Sequence, residues 1–334
     1  MRCYNIPIFV PHEGCPFDCI FCNQRKITGR DTKATREEVF KIIEEHLETL
    51  PECEKYVEAA FFGGSFTGIS AQKQCELLGA AKEYVDQGKI QGIRLSTRPD
   101  YISEEILDRL KEYGVITIEL GVQSMDNEVL KASNRGHTRE DVIYASNLIK
   151  DYGFNLGLQM MTGLPGDTPE KAIETAKAII ELNPKCVRIY PTLVLKETKL
   201  ETLYKDGEYL PQTVEDAASL CKDLILMFRN AGIDVIRVSL VTTEEISENG
   251  AVVAGPYHPA FRELAEGEIY FDEMKKIIDN DPLVRTFLVN PKEVSKAVGN
   301  KKRNILRIKE KYGFCVNVKP DANIDAGKIK VWKE

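Results

Sequence analysis

The chain has 334 residues, with 45 Lys and Arg against 52 Asp and Glu, a formal charge of −7. Apolar residues make up 43% and charged residues 29%, an ordinary globular balance that excludes a disordered chain, a collagen and a membrane protein. No apolar run approaches the roughly 18 residues of a transmembrane helix, and the start, interrupted by Pro7 and Pro11, lacks a basic stretch and a cleavage site, so a cytoplasmic protein is expected.

In chain order, residues 5–10 offer a first short strand. Three cysteines then fall within eight residues: Cys15, Cys19 and Cys22, spaced C-x3-C-x2-C in a loop shaped by Gly14 and Pro16. Residues 37–50 predict an amphipathic helix, with Val39, Ile42, Ile43, Leu47 and Leu50 at helical spacing. The run at 57–62 reads as a buried strand that breaks into Gly63-Gly64. Strands and helices then alternate: helix 71–84, strand 93–97, helix 104–113, strand 115–121, helices 127–132 and 139–152, strand 155–161, helix 169–182, strand 186–191, helix 214–231 and strand 233–240.

That alternation is the mark of parallel βα units, and the length fits an α/β fold with an open, partial TIM-like barrel of about six units. Chemistry in such folds gathers at the C-terminal ends of the strands. The unusual residues stand there: Gly63-Gly64-Ser65, Ser96-Thr97-Arg98, Gly121-Val122-Gln123, Gln159 and Tyr190-Pro191.

The tail differs in charge and order. Residues 291–334 hold twelve basic and five acidic residues, a net of +7, which leaves −14 on the other 290. Strand 286–289, helix 291–298, the loop from Gly299 through Lys301, Lys302 and Arg303, helix 304–312 and strands 314–318 and 328–332 follow the order of the KH fold. That fold clamps single-stranded nucleic acid with a G-x-x-G loop. Here Lys302 stands where the second Gly belongs. Gly299, Lys301, Lys302 and Arg303 are therefore the candidate RNA contacts, against the alternative of a small cap that only packs on the barrel. The expected domains are a barrel at 1–240, a connecting extension at 241–285 and a KH-like module at 286–334.

Nine cysteines, an odd number, in a reducing compartment argue against a disulfide framework. Three readings fit the cluster of thiols. Structural zinc needs a fourth ligand, for which His12 is available. An electron-transfer cluster also needs four cysteines. A four-iron cluster on three thiolates leaves one iron open to a substrate.

Cys15-x3-Cys19-x2-Cys22, with aromatic Phe21 before the last cysteine, resembles the signature of radical S-adenosylmethionine (SAM) enzymes. The resemblance spans residues 2–240. It implies a 4Fe-4S cluster held by the three cysteines, whose open iron chelates SAM and whose electron cleaves it to a 5′-deoxyadenosyl radical. It also implies a reductant such as a flavodoxin or ferredoxin. In the family's terms Gly63, Gly64 and Ser65 meet the SAM amino group. Ser96 and Arg98 lie near its methionine or ribose part, Gln123 and Gln159 suit ribose hydroxyls, Arg135 suits a carboxylate, and Phe21 borders the cofactor.

Residues 119–125, 134–138 and 160–166 further resemble the radical SAM domain of the Elongator catalytic-subunit family. That likeness implies RNA, in particular tRNA, as substrate and partner, with no membrane association. The 94 residues after Leu240 do not resemble an acetyltransferase domain, so the acetyl-dependent reaction is not carried over. The rival readings are a radical SAM enzyme on a small molecule such as a tetrapyrrole, and a non-catalytic RNA-binding protein with a structural metal loop.

Overall fold

The computed structural model describes residues 2–10, 15, 19–23, 34–240, 246–247 and 250–332. The first part of the chain contributes β1 (Arg2–Val10), β2 (Lys55–Gly63), β3 (Gly92–Thr97), β4 (Val115–Gln123), β5 (Asn155–Thr162), β6 (Cys186–Pro191), β7 (Val194–Leu195), β8 (Asp234–Val238) and β9 (Val252–Ala254). Seven of them form one parallel sheet in the order β1-β2-β3-β4-β5-β6-β8, curled as a half-barrel. The partial barrel expected from the βα repeat is present. Its seventh strand is the first run, expected at 5–10, which extends to nine residues paired from Arg2 opposite Lys55 to Val10 opposite Gly63. β7 and β9 make a separate antiparallel pair.

The strands read as near-continuous apolar runs because both faces are covered; Ala59, Ala60 and Phe61 are all fully buried. The covering helices bury one stripe each, through Leu77 and Leu78, Leu107 and Leu110, Val142 and Ile149, and Ala176 and Ile179. Their starts are set locally. Thr35, Ser70, Ser103, Asp126, Thr138, Thr168 and Thr198 each cap a helix by accepting a backbone N–H of its first turn. Each such cap contributes about 1 kcal/mol and fixes where the strand-to-helix loop ends.

Within the strands, charged residues break the apolar runs at alternate positions. Glu58 on β2, Arg94 on β3, Glu119 on β4 and Arg188 on β6 join in one chain of ion pairs. Arg94 reaches Glu58 and Glu119 at 2.7 Å each, and Arg188 grips Glu119 with two nitrogens, one at 3.0 Å. Thr117 adds a hydroxyl to Glu58 at 3.0 Å. Burial pushes the Glu119 carboxyl up, but Arg188 and Arg94 outweigh it and hold the group below the ordinary Glu range.

The chain divides into two compact units, Met1–Gln212 with Met227–Tyr257, and Thr213–Leu226 with His258–Glu334. This differs from boundaries at 240 and 285. Helix Phe261–Asn280 buries Tyr270, Phe271, Met274 and Ile278 in one core with Phe287, Val289, Ala297, Ile308 and Val316, so most of the expected connecting extension belongs to the second unit. That unit holds β10 (Thr286–Val289), β11 (Asn317–Pro320) and β12 (Ile329–Val331). β10 is central, parallel to β11 and antiparallel to β12. Helices Val294–Val298 and Arg303–Tyr312 lie between β10 and β11 in sequence, in the order expected for the tail.

The buried ion chain gives a stability prediction. Glu119→Ala leaves Arg94 short of one partner and Arg188 short of its carboxylate, a change that typically costs about 3–5 kcal/mol. The urea midpoint should fall accordingly. An unchanged midpoint would show that the network carries no stability.

Candidate active site

The C-terminal end of β2 turns sharply. Gly63 adopts φ +109°, which L side chains rarely tolerate, and a Cβ there would lie 2.6 Å from the Val10 carbonyl oxygen. The next amide, Gly64 N–H, donates to the same carbonyl at 3.2 Å. Ser65 follows, buried, with its amide 3.4 Å and its hydroxyl 3.7 Å from Cys15 Sγ. The glycine turn and the first cysteine of the motif thus share one corner of the sheet.

The second cysteine meets the end of β4. Arg135 Nη1 donates to Cys19 Sγ at 3.4 Å, and Nη2 donates to the Gly121 carbonyl at 2.7 Å. A side chain at 121 would displace the Arg135 guanidinium, since a Cβ there would come within 2.6 Å of Nη2. Beside it the pairing of β4 and β5 shifts register, Gln123 takes φ +66°, and its Oε1 accepts from Gln159 Nε2 at 3.2 Å. Gln159, inside β5 and opposite Arg188 in the β5–β6 register, thus bonds to Gln123 at the end of β4, and Arg135 ties that same strand end to Cys19.

The cysteine loop is docked at further points. Ile20 N–H donates to Ser133 O at 3.2 Å, Leu200 N–H donates to Ile20 O at 2.8 Å, and Asn23 Nδ2 reaches Lys196 O at 3.1 Å. Ile20 packs with Val194, Leu200 and Tyr209, and Phe21 covers that cluster. Phe21 is thus held by apolar packing beside the loop. His12, the candidate fourth zinc ligand, lies outside the described residues.

Two of the expected cofactor contacts are engaged otherwise. Arg98 is 1% exposed. Its Nε and Nη2 grip both oxygens of Asp100 at 2.9 Å, and Nη2 also reaches the Arg135 carbonyl at 2.6 Å. It braces the backbone that carries Arg135. Ser96, half-buried, stands opposite Glu119 in the β3–β4 register, level with the ion chain.

His137 and the four-residue ion chain carry no sequence motif of their own. His137 is buried and its Nε2 contacts Val122 O at 3.1 Å. Burial, with the charges of Arg135 and Arg98, pushes its imidazole down to about 3. It is neutral at any working pH. The signal for the ion chain was one charge in each of four apolar runs.

The tail candidates sit in the second unit. Gly299 adopts φ +78°, and a Cβ there would meet Asn304 at 3.0 Å. Asn304 is buried and donates to Gly267 O, Lys296 O and Ala297 O, so glycine is needed for packing at this turn. Lys301 and Lys302 both take left-handed φ, +50° and +63°, so the backbone conformation that glycine would favour survives with lysine in place. Both side chains are exposed. Arg303 lies 3.7 Å from Glu215 and 3.9 Å from Glu268.

The donor chemistry at the cysteine loop fits an anionic sulfur centre. Among the described residues no three His, Cys, Asp or Glu side chains stand as a preformed cage. The fit lies instead with Arg135, a buried cation that makes no ion pair among the described residues and whose Nε has no hydrogen-bond partner. A buried charge in that condition is costly unless an anion faces it. Thiolate sulfurs, soft ligands for iron, supply one.

The radical SAM superfamily model matches residues 9–179, more than half of the chain, and the radical SAM C-terminal domain matches residues 184–270. The chain is a radical SAM enzyme. Its cofactors are those of the superfamily, a 4Fe-4S cluster and SAM. The tRNA uridine(34) acetyltransferase of Methanocaldococcus jannaschii is 30% identical over 254 residues, which cover 64% of this chain and 47% of that protein. The human Elongator complex protein 3 is 35% identical over 142 residues, 42% of this chain and 26% of that one. The chain spans about half the length, or less, of these relatives. The solved archaeal Methanocaldococcus infernus Elp3 shares the fold, with a TM-score of 0.59 at 22% identity over 94% of this chain and 68% of that one.

His137 makes the radical SAM unit sensitive to acid. Its folded value is about 3 and its ordinary value 6.5, so the unfolded chain binds the proton first. Its contribution is full above pH 6.5 and falls by up to about 1.4 kcal/mol per pH unit as pH drops toward 3. Urea titrations from pH 7 to 4.5 should show this slope, and His137→Gln should remove that component.

Proposed function

We propose that this radical SAM enzyme modifies a nucleoside of RNA, in particular of tRNA, by reductive cleavage of SAM at the cysteine loop. The observation that carries the catalytic part is Arg135 against the cysteine loop. A loop holding a merely structural metal needs no buried arginine without an ion pair against its sulfur, and no hydrogen-bonded glutamine pair beside it. The RNA part draws support from relatives named tRNA uridine(34) acetyltransferase and from the +7 charge of residues 291–334.

In this reading Cys15, Cys19 and Cys22 hold the cluster. When bound, the cluster supplies the electron that cleaves the SAM sulfonium to methionine and a 5′-deoxyadenosyl radical, which takes hydrogen from the substrate. The chain's own residues hold and shield. The Gly63-Gly64-Ser65 turn offers backbone to the SAM amino group, Arg135 offers its fork to a carboxylate, and Gln123 and Gln159 offer amides to ribose hydroxyls. Arg98 keeps Arg135 in place through the backbone. The electron comes from a reductant of the flavodoxin or ferredoxin class.

The test is anaerobic. Reconstituted protein should bind about four irons per chain, the content of one such cluster. Cys15→Ala, Cys19→Ala and Cys22→Ala should each lose it, while Cys53→Ala, at an exposed thiol far along the chain, should not. Reduced protein should release 5′-deoxyadenosine from SAM, faster with tRNA present. Equal iron in all variants would refute the ligand assignment; cleavage indifferent to tRNA would refute the RNA reading alone.

Arg135→Ala should weaken SAM binding by about 1.5–3 kcal/mol, the usual worth of a hydrogen bond to a charged group. Isothermal titration of cluster-loaded protein measures it. Unchanged affinity would make Arg135 a brace for the loop and nothing more.

A further inference from the structure

We infer that the open face of the β11-β10-β12 sheet is a platform on which an unpaired RNA base stacks against Trp332; the inference rests on the RNA reading above. The register sets the face. Phe287 and Val289 of β10 point into the core and are fully buried, so Thr286 and Leu288 point the other way. Opposite them stand Asn317 and Lys319 on β11, and Lys330 on β12. Trp332 N–H donates to Thr286 O at 3.0 Å, which places Trp332 on the same face as Lys330, two residues along.

Trp332 is the only tryptophan in the chain and is 51% exposed. Lys319, from the far edge strand, brings its Nζ to 5.7 Å from the indole ring, so the two side chains meet across β10. Lys319 and Lys330 make no ion pair among the described residues, and neither β11 nor β12 carries an acidic residue. A half-exposed indole between unpaired lysines matches the two parts of single-strand recognition, a π-face for a base and cations for its phosphates. A double helix would offer no free base face here. Charge complementarity argues for nucleic acid over a second copy of this chain, which would bring the same lysines against themselves.

The experiment uses the full chain and a ten-nucleotide oligouridylate. Because Trp332 is the sole tryptophan, its fluorescence reports this face directly. Binding should quench it, and Trp332→Ala should weaken binding, followed by anisotropy of a labelled oligonucleotide, roughly 5- to 150-fold. Trp332→Phe should recover most of the affinity. Lys319→Ala with Lys330→Ala should flatten the salt dependence by up to about 0.7 in log–log slope per lost contact.

Unquenched fluorescence, with Trp332→Ala binding as tightly as the wild type, would overturn the platform while leaving the RNA reading in place. Absence of oligonucleotide binding would overturn it too. So would a concentration-dependent dimer that Trp332→Ala dissolves, which would make the face an interface between copies. Loss of tRNA-stimulated SAM cleavage bears on the RNA reading itself and is scored separately.

Discussion

Arg135 is the residue on which the site depends. Its side chain joins the cysteine loop to the end of β4, while its backbone is gripped by the buried Arg98. Three basic side chains lie close together there, and their charges are settled differently. Arg98 is neutralised by Asp100, and His137 stays neutral because burial and its two cationic neighbours depress it to about 3. Arg135 alone retains a charge without a carboxylate among the described residues. The fold thus builds one buried positive charge at the mouth of the half-barrel and aims it at a sulfur. Such a charge is held for an anion that arrives later, which is the requirement of a cysteine-bound cluster and of a substrate carboxylate alike.

Deeper in the sheet the charges are balanced among themselves. Two carboxylates and two guanidiniums alternate from β2 through β6, and Phe62 lies under Arg188, with the guanidinium 5.1 Å from the ring centre. Apolar residues of similar volume often give equal or greater stability than a buried ion chain. What the ion chain adds is directionality: each guanidinium fork fits its carboxylates in only one register of the neighbouring strands. A one-residue slip would reverse the faces of a strand and break the chain. The Gln123–Gln159 pair stands beside a rigid floor whose pairing cannot drift.

The sequence made the repeating βα elements legible because each strand is an apolar run and seven of the helices begin on a capping Ser, Thr or Asp. It made the strand-end positions legible for the same reason, since Gly63 and Gln123 close β2 and β4. It did not reveal which way a residue at a strand end turns. Arg98 and Arg135 look alike as arginines after a strand or helix, yet Asp100, two residues on, captures the first and leaves the second free for the loop. Nor did it reveal the ion chain, because its partners are 25 to 69 residues apart in sequence. Helix Phe261–Asn280 carries Gly267 in its middle, where a Cβ would lie 3.3 Å from the Lys296 carbonyl oxygen, so the periodic pattern is broken at a close approach between backbones.

The same accounting of charge separates the two basic regions of the tail. The Gly299 loop carries Arg303, and Arg307 follows one turn later, but both face acidic groups. Arg307 sits 2.6 Å from Glu268, and Arg303 lies within 4 Å of Glu268 and Glu215. Their charge holds the unit together before any ligand arrives. Lys301 and Lys302 make no ion pair among the described residues, yet they sit on left-handed backbone at the head of a helix whose dipole disfavours cations there. Lys319 and Lys330 also make no ion pair among the described residues, and they stand on regular strands beside an exposed indole. A phosphate would gain charge at either place. On the platform proposed above the sheet face would also offer a base a ring to lie on, and the net +7 read from composition would divide into a structural share at the helix and a recognition share at the sheet.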